Sequence, residues 1–171
     1  NKYLNLNFLF IKVLYRYMET CKPRLALSFD VEATGSSPAS GSLVMLGIIA
    51  VLENTIVRAN MQESDWIVDK REWCISETTD RDPRCWEEFW MKNLSVWKYI
   101  SDNAINVKSS MKELSDWLKV LAENYELFWV AKPSSFDWQW INTYYDKYKP
   151  DDAHPIGFKA ECINGYRDVW K

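Results

Sequence analysis

The sequence lacks most of the patterns that identify common enzyme classes. Its single histidine, His154, and the absence of a Gly-x-Ser-x-Gly segment argue against a Ser-His-Asp triad. With five glycines in 171 residues, it contains no glycine-rich phosphate loop of the Walker type. Serine hydrolases and P-loop nucleotide hydrolases are therefore poor candidates.

Cysteine is scarce, and its positions are scattered. No Cys-x-x-Cys pair is present, and one histidine cannot complete a structural zinc site in the usual spacings. We therefore interpret the four cysteines as reduced thiols of a cytoplasmic protein. They are Cys21, Cys74, Cys85 and Cys162.

His154 lies in a loop-like segment, and we interpret it as a surface histidine, with a contact to substrate as the alternative.

The sequence also lacks an excess of positive charge and a long apolar run. A net charge of −3 and a pI near 5.3 argue against a broad basic face that holds long duplexes. They are compatible with an acidic pocket that holds one strand end through metal ions. The apolar run at 8–11 is too short to span a membrane and has no cleavage site after it, so we expect no membrane association.

The length of 171 residues fits one domain. Residues 1–17 resemble neither a targeting signal nor a domain element, and we interpret them as a non-domain extension, either upstream read-through or an appended helix. The expected domain is 18–171, beginning at Met18, and its abrupt end suggests C-terminal truncation.

Ten tryptophans stand out; we expect most of them in the core, while a few could stack on bases.

Apolar runs bounded by turn residues predict four strands, at 25–31, 43–52, 55–61 and 127–131. Because the run at 43–52 is apolar throughout, we expect a central strand covered on both faces. Three neighbouring strands followed by helix, strand and helix predict an α/β domain with a mixed sheet and helices against it. The ribonuclease H-like arrangement, an antiparallel three-strand meander joined by parallel strands, is one such fold.

Capping residues predict where the helices start. Asp82-Pro83 begins one helix, with Trp86, Phe89 and Trp90 on one side. Ser110 to Glu113 reads as a capping box that starts another. The apolar stripe of that second helix is Val107, Met111, Leu114, Leu118 and Leu121. A third helix follows 132–135, with Trp138, Ile141, Tyr145 and Tyr148 on one face, and 161–163 is expected to be a turn of helix.

Two acidic residues end the first predicted strand. Asp30 and Glu32 are two residues apart, so their side chains lie on the same face of the strand. Neighbouring carboxylates repel each other and lose hydration, and a divalent cation relieves both costs. Taken alone, an Asp-x-Glu pair is more often an exposed strand end with two solvated acids.

The context of these acids resembles a known family. The segment at 29–35 resembles the first motif of the DnaQ-like (DEDD) 3′–5′ exonucleases, Asp-x-Glu-x-Thr-Gly after a hydrophobic strand. Phe136-Asp137, at the start of a helix after strand 127–131, is similar to the second motif. The stretches 82–90 and 129–138 look similar to the small bacterial and phage 3′–5′ exoribonuclease branch of that superfamily.

The resemblance implies a two-metal nuclease that acts on the 3′ end of single-stranded RNA or DNA. Asp30 would bind both Mg²⁺ or Mn²⁺ ions, Glu32 the ion that holds the attacking water, and Asp137 the second ion. It also implies substrate-binding positions at Thr34 and Gly35, near the terminal nucleotide, and at Phe136, which would stack on a base. Trp138 is expected in the core, because it falls on an apolar helical stripe.

The third motif of the family is not recognisable. It carries a fourth metal-binding Asp with a His or Tyr shortly before it, whereas Tyr166 and Asp168 lie too close together and His154 has no Asp five residues on. Either the chain stops before that motif or the domain has lost it. We expect a truncated protein to hold metal weakly and to be nearly inactive.

Three alternatives stay open. The domain could bind nucleic acid or another protein with the same fold and no catalysis, or it could be an endonuclease of that fold. It could also be an unrelated α/β protein in which Asp-x-Glu occurs by chance. RNA and DNA substrates, and the oligomeric state, are not distinguished by the sequence.

Overall fold

A computed structural model of the chain describes residues 22–53, 62, 65–79 and 81–162. The strands of this part are β1 (Arg24–Ala33), β2 (Leu43–Leu52), β3 (Ile67–Cys74), β4 (Glu126–Ala131) and β5 (Glu161–Cys162). Its α-helices are α1 (Pro83–Glu88), α2 (Leu94–Asn103), α3 (Val107–Asn124) and α4 (Ser134–Tyr148), and a 3₁₀ turn, Trp90–Lys92, lies between α1 and α2. None of the helices described is both long and apolar enough to cross a bilayer.

The strands form one mixed sheet in the order β3-β2-β1-β4-β5. Strands β1, β2 and β3 are an antiparallel meander, and β4 and β5 run parallel to β1. The predicted α/β class, with a meander joined by parallel strands and flanked by helices, is confirmed. The third strand of the meander is β3; the strand predicted at 55–61 falls outside the described residues.

The main core lies on one face of the sheet, against α3 and α4. Alternate residues of β1 point into it, from Leu25 to Ala33, and β2 adds Leu46, Ile48 and Ala50. The stripe predicted on α3 is buried along its length. On α4, Ile141 and Tyr145 are buried and Trp138 packs against this core, as expected.

A second, smaller core lies on the other face of the sheet. Met45 pairs with Cys74 across β2 and β3. The neighbouring pair, Leu46 and Trp73, points to the opposite face and belongs to the main core. Val44, Cys74, Trp90 and Ile100 form this second cluster, and it attaches the segment from α1 to α2 to one end of the sheet. The rest of that face is less covered. Ile49, in the middle of β2, is 40% exposed there. The prediction that β2 is covered on both faces is therefore wrong for the described residues.

Helix α1 begins where the sequence predicts. The Asp82 carboxylate accepts hydrogen bonds from the backbone amides of Arg84, at 2.8 Å, and Cys85, at 3.1 Å. The helix ends at Glu88, however, and the chain turns there. Consequently Phe89 is 44% exposed while Trp90 is fully buried, so the expected single aromatic side is wrong.

Two predicted element boundaries are corrected. Helix α3 starts at Val107 rather than Ser110, because the Asn106 side chain caps it by accepting from the Lys108 amide at 2.9 Å. The hydroxyl of Ser110 donates to the Asn106 carbonyl at 3.3 Å instead of capping a helix. Glu161–Cys162 is not a helical turn, because it pairs in parallel with the end of β4.

Candidate active site

Two carboxylates stand at the end of β1, on the face opposite the main core. Asp30 pairs across the sheet with Gly47, and Glu32 pairs with Met45. Phe29 and Val31, which alternate with them, are buried in the core. The apolar alternation of β1 therefore directs both acids to the same face, as the two-residue spacing predicts.

The third carboxylate, Asp137, comes from the first turn of α4. It is only 3% exposed. The backbone amide of Val31 and the amide of Asp137 itself donate hydrogen bonds to it, and the positive end of the helix dipole favours its charge. These contacts tie the start of α4 to the end of β1.

An aromatic trio holds α4 in this position. Phe29 on β1, Trp129 on β4 and Trp138 on α4 meet with ring centroids 5.3 to 6.2 Å apart. Because β4 runs parallel to β1 and α4 follows it after a short turn, this packing brings the helix start to the carboxyl end of β1. The trio therefore sets the place of Asp137.

The three carboxyl groups interact. Burial raises the pKa of Asp137, and the neighbouring Asp30 raises it further, although the two amide hydrogen bonds oppose the shift. Burial also raises the pKa of Glu32, with smaller contributions from Asp30 and Asp137. Two distant stretches of the chain thus bring Asp30, Glu32 and Asp137 into one mutually repulsive cluster.

The cluster has the donor chemistry of a site for hard divalent cations, since all its ligands are carboxylate oxygens. In the part of the chain that the structure describes, however, no three His, Cys, Asp or Glu side chains are already arranged around one point as metal ligands.

Thr34 and Gly35 close the loop that follows β1. Thr34 is fully buried, its hydroxyl accepts from the Ser42 amide at 2.9 Å, and its amide donates to the Ser42 carbonyl at 2.9 Å. A Cβ on Gly35 would lie 2.6 Å from the Ser40 carbonyl oxygen, and one on Gly41 would lie 2.5 Å from the Gly35 nitrogen. Both residues therefore shape the loop, and their contact with a substrate stays a prediction.

Phe136 lies next to Asp137 and is 36% exposed. Its ring meets that of the buried Trp140 edge-on, with 6.4 Å between the centroids. The ring of Phe136 thus contacts a buried aromatic residue and is also partly exposed to solvent. This arrangement leaves the predicted base stacking at Phe136 sterically possible.

Sequence reasoning missed the residues that hold the end of β1 from the second face. The indole nitrogen of Trp90 donates to the Ala33 carbonyl at 3.1 Å, and the Cys85 thiol donates to the same oxygen at 3.7 Å. The amide of Asp82 donates to the Thr34 carbonyl at 2.9 Å. The dense aromatic run at 86–90 was the available signal, but its partner on β1 is distant in sequence.

His154 is half-buried, which corrects its interpretation as a surface residue. Its amide donates to the Ser115 hydroxyl at 3.0 Å, and its carbonyl accepts from the Tyr145 hydroxyl at 2.6 Å. Burial lowers the pKa of its imidazole. It lies beside the carboxyl-terminal half of α4, away from Asp137 in the first turn. The other residues weighed for a third motif, at 166–168, fall outside the described residues.

Cys74 and Cys85 are free thiols, as expected, and Cys21 falls outside the described residues. Comparison of the sequence with protein-family models and with curated proteins finds no match.

Proposed function

We propose that this chain is a metal-dependent 3′–5′ exonuclease of the DnaQ-like superfamily, with a ribonuclease H-like fold. It hydrolyses phosphodiester bonds of single-stranded RNA or DNA in the cytoplasm. The observation that carries the proposal is the convergence of Asp30, Glu32 and Asp137, two of them with raised pKa values, at one end of the central strand.

The sheet topology supports the proposal. An antiparallel meander, followed by parallel strands on the far side of β1, is the arrangement that the resemblance implies. It puts the first acidic motif on the central strand and the second at the start of the helix after β4. Two motifs that are far apart in the sequence therefore lie close together in the fold.

The proposed chemistry assigns a role to each carboxylate. When bound, two divalent cations, Mg²⁺ or Mn²⁺, supply an activated water and the charge that stabilises the departing 3′ oxygen. Asp30 would hold both ions, Glu32 the ion that carries the water, and Asp137 the other. The raised pKa values fit these roles, because each carboxyl gains a counter-charge when it turns to a cation.

The direct test replaces Asp30 by Ala in the longest form of the protein that its gene encodes, and it measures the shortening of a 5′-labelled single strand in Mn²⁺. We expect at least a 100-fold loss of rate, because the shared ligand is gone, with the thermal melting temperature preserved. Asp102→Ala is the matched control, since Asp102 is an exposed carboxylate on α2, paired with Lys98 at 2.7 Å. Wild-type rates in Asp30→Ala would refute the site assignment.

A non-catalytic binding domain of the same fold is the second candidate. It is favoured by the observation that no described group of side chains is already arranged for coordination. Fluorescence anisotropy with a labelled oligonucleotide separates the two, because a binding domain retains the strand without shortening it. Blocking the 3′ end separates exonuclease from endonuclease, since only the latter still cuts.

A further inference from the structure

A chain of hydrogen bonds connects α4 with the loop that follows β1. The Tyr144 hydroxyl on α4 shares a hydrogen bond of 2.7 Å with the Thr78 hydroxyl, in the segment between β3 and α1. We call this pair the hydroxyl bridge. The Thr78 amide donates to the Ser42 hydroxyl at 2.9 Å. Ser42 exchanges two further hydrogen bonds with Thr34, which stands two residues after Glu32.

The hydroxyl bridge lies on the face of α4 that carries Asp137. Asp137 and Tyr144 are seven residues apart, so they share one face of the helix and are separated by two turns. Both side chains are buried. Asp137 accepts from the Val31 amide at the start of the helix, and Tyr144 binds Thr78 further along it. The helix therefore contacts the end of β1 directly through Asp137 and indirectly through the hydroxyl bridge.

Ser42 makes the indirect connection rigid. It is fully buried, and its hydroxyl accepts from the amides of Thr78 and Thr79 and donates to the Thr79 carbonyl at 3.2 Å. This hydroxyl thus uses its one donor and both of its acceptor sites. A buried network whose members are all satisfied holds one arrangement. The position of Thr78 relative to Thr34 is therefore fixed, and with it the place where Tyr144 is held.

Repulsion between the acids opposes the close approach of α4 to β1. Burial and the neighbouring carboxylates raise the pKa of Glu32 and of Asp137. Without a cation, the like charges favour moving the start of α4 away from β1. The Val31 amide, the aromatic trio and the hydroxyl bridge all restrain that movement. Since metal ligands must be held within about 0.5 Å of their productive geometry, loss of one restraint should affect cation binding.

We propose that Tyr144 and Thr78 are positioning residues, whose hydroxyl bridge sets the distance between Asp137 and the Asp30–Glu32 pair. The bridge acts through α4 rather than by contact with the substrate. Its effect on catalysis rests on the proposed function, because only a cation site shared by these acids makes their separation matter for the rate. Its restraint of Asp137 against β1 does not depend on that function.

Tyr144→Phe tests the hydroxyl bridge, because it removes one hydroxyl and keeps the ring. The next residue supplies the matched control, Tyr145→Phe. The Tyr145 hydroxyl donates to the His154 carbonyl at 2.6 Å, from the same helix but away from the acids. Each variant loses one hydrogen bond of a buried tyrosine, so a loss of stability alone would affect both alike.

Both variants are made in the longest form of the protein that its gene encodes, with a 5′-labelled single strand as substrate. In Tyr144→Phe we expect kcat to fall about 10-fold and KM to stay within about twofold, as for residues that orient metal ligands. The Kd for Mn²⁺, measured by calorimetry, should rise several-fold. Tyr145→Phe should keep all three values.

Thr78 supplies a second pair of variants. Thr78→Val removes the hydroxyl and keeps the amide that binds Ser42, so it should reproduce the losses of Tyr144→Phe. Thr78→Ser keeps a hydroxyl and should retain most of the kcat. A further measurement needs no metal: exchange of the Val31 amide hydrogen, followed by NMR, should be about 10-fold faster in Tyr144→Phe and unchanged in Tyr145→Phe.

Equal effects of Tyr144→Phe and Tyr145→Phe on kcat and on Mn²⁺ affinity would overturn the assignment. So would a raised KM with kcat kept, which means contact with the substrate, or a loss in Thr78→Ser as large as in Thr78→Val. Unchanged exchange at Val31 in Tyr144→Phe overturns it as well. A wild-type protein that neither binds Mn²⁺ nor shortens the strand removes the proposed function instead, and exchange at Val31 still decides whether the hydroxyl bridge restrains Asp137.

Discussion

The carboxyl group of Asp137 is buried and lies beside a second acid, Asp30. The amides of Val31 and of Asp137 offset only part of the free-energy cost of ionising this carboxyl group, since its pKa stays raised. An ionised Asp137 therefore opposes folding at neutral pH, which is typical of a residue kept for chemistry rather than stability.

Replacing Asp137 by Asn tests whether the charge of this carboxylate lowers stability while it serves activity. The amide keeps the shape and removes the charge, so in EDTA at pH 7 we expect stability to rise by about 1 kcal/mol, or about 2–4 °C in melting temperature. Activity with Mn²⁺ should fall at least 100-fold. The control, Asp116→Asn, removes an exposed carboxylate paired with Lys112 and should not gain stability. A lower melting temperature for Asp137→Asn would mean that its hydrogen bonds outweigh the repulsion.

At the scale of elements, the loop between β1 and β2 is held by backbone contact between two glycines. A Cβ on Gly41 would lie 2.5 Å from the Gly35 nitrogen, and neither backbone can move without disturbing the Thr34–Ser42 bonds. This loop begins directly after Ala33, whose carbonyl is also bound by Trp90. Its shape therefore bears on the end of β1, where the acids lie.

We expect Gly41→Ala to destabilise the protein by about 1–3 kcal/mol, the usual cost of overpacking. Gly47→Ala should be neutral or stabilising, because its Cβ has free space on a strand. Urea unfolding midpoints compare the two directly. Equal midpoints would contradict the contact between Gly35 and Gly41.

The elements also show where sequence patterns succeed. Strand β2 has the predicted bounds because its apolar run is long and flanked by turn residues. Helix α1 starts as predicted because Asp-Pro combines a cap with a fixed φ angle. By contrast, Ser110 matched a capping box locally, but Asn106 capped the helix one turn earlier. A strand as short as β5 has no periodicity to detect.

At the scale of the whole molecule, the acidic cluster couples pH, cation binding and stability. The folded-state pKa values of Glu32 and Asp137 lie above their ordinary values of 4.5 and 3.8. The folded state therefore binds more protons than the unfolded state between the ordinary and raised values, and stability falls as pH rises through that window. His154 acts oppositely: its lowered pKa means that stability falls as pH drops below its ordinary value of 6.5.

We predict that Mg²⁺ or Mn²⁺ stabilises the protein more at pH 8 than at pH 5. Burial and mutual repulsion raise the pKa of Glu32 and of Asp137, so protons compete with a bound cation more strongly as the pH falls. Thermal melting with cation or with EDTA at each pH measures the increment, and taking the difference cancels the effect of His154. Asp30→Ala should shrink the increment at pH 8. An equal increment at both pH values would count against a carboxylate site.

The sequence by itself determined the strands and helices whose patterns are local, and the pairing of Asp30 with Glu32 on one face, because a strand has a fixed two-residue period. Only the tertiary structure decided which distant residues meet. The parallel alignment of β4 with β1 brings Asp137 to that pair, and the strand register sets Gly47 beside Asp30. Such contacts depend on packing between segments far apart in the chain, which no local pattern encodes.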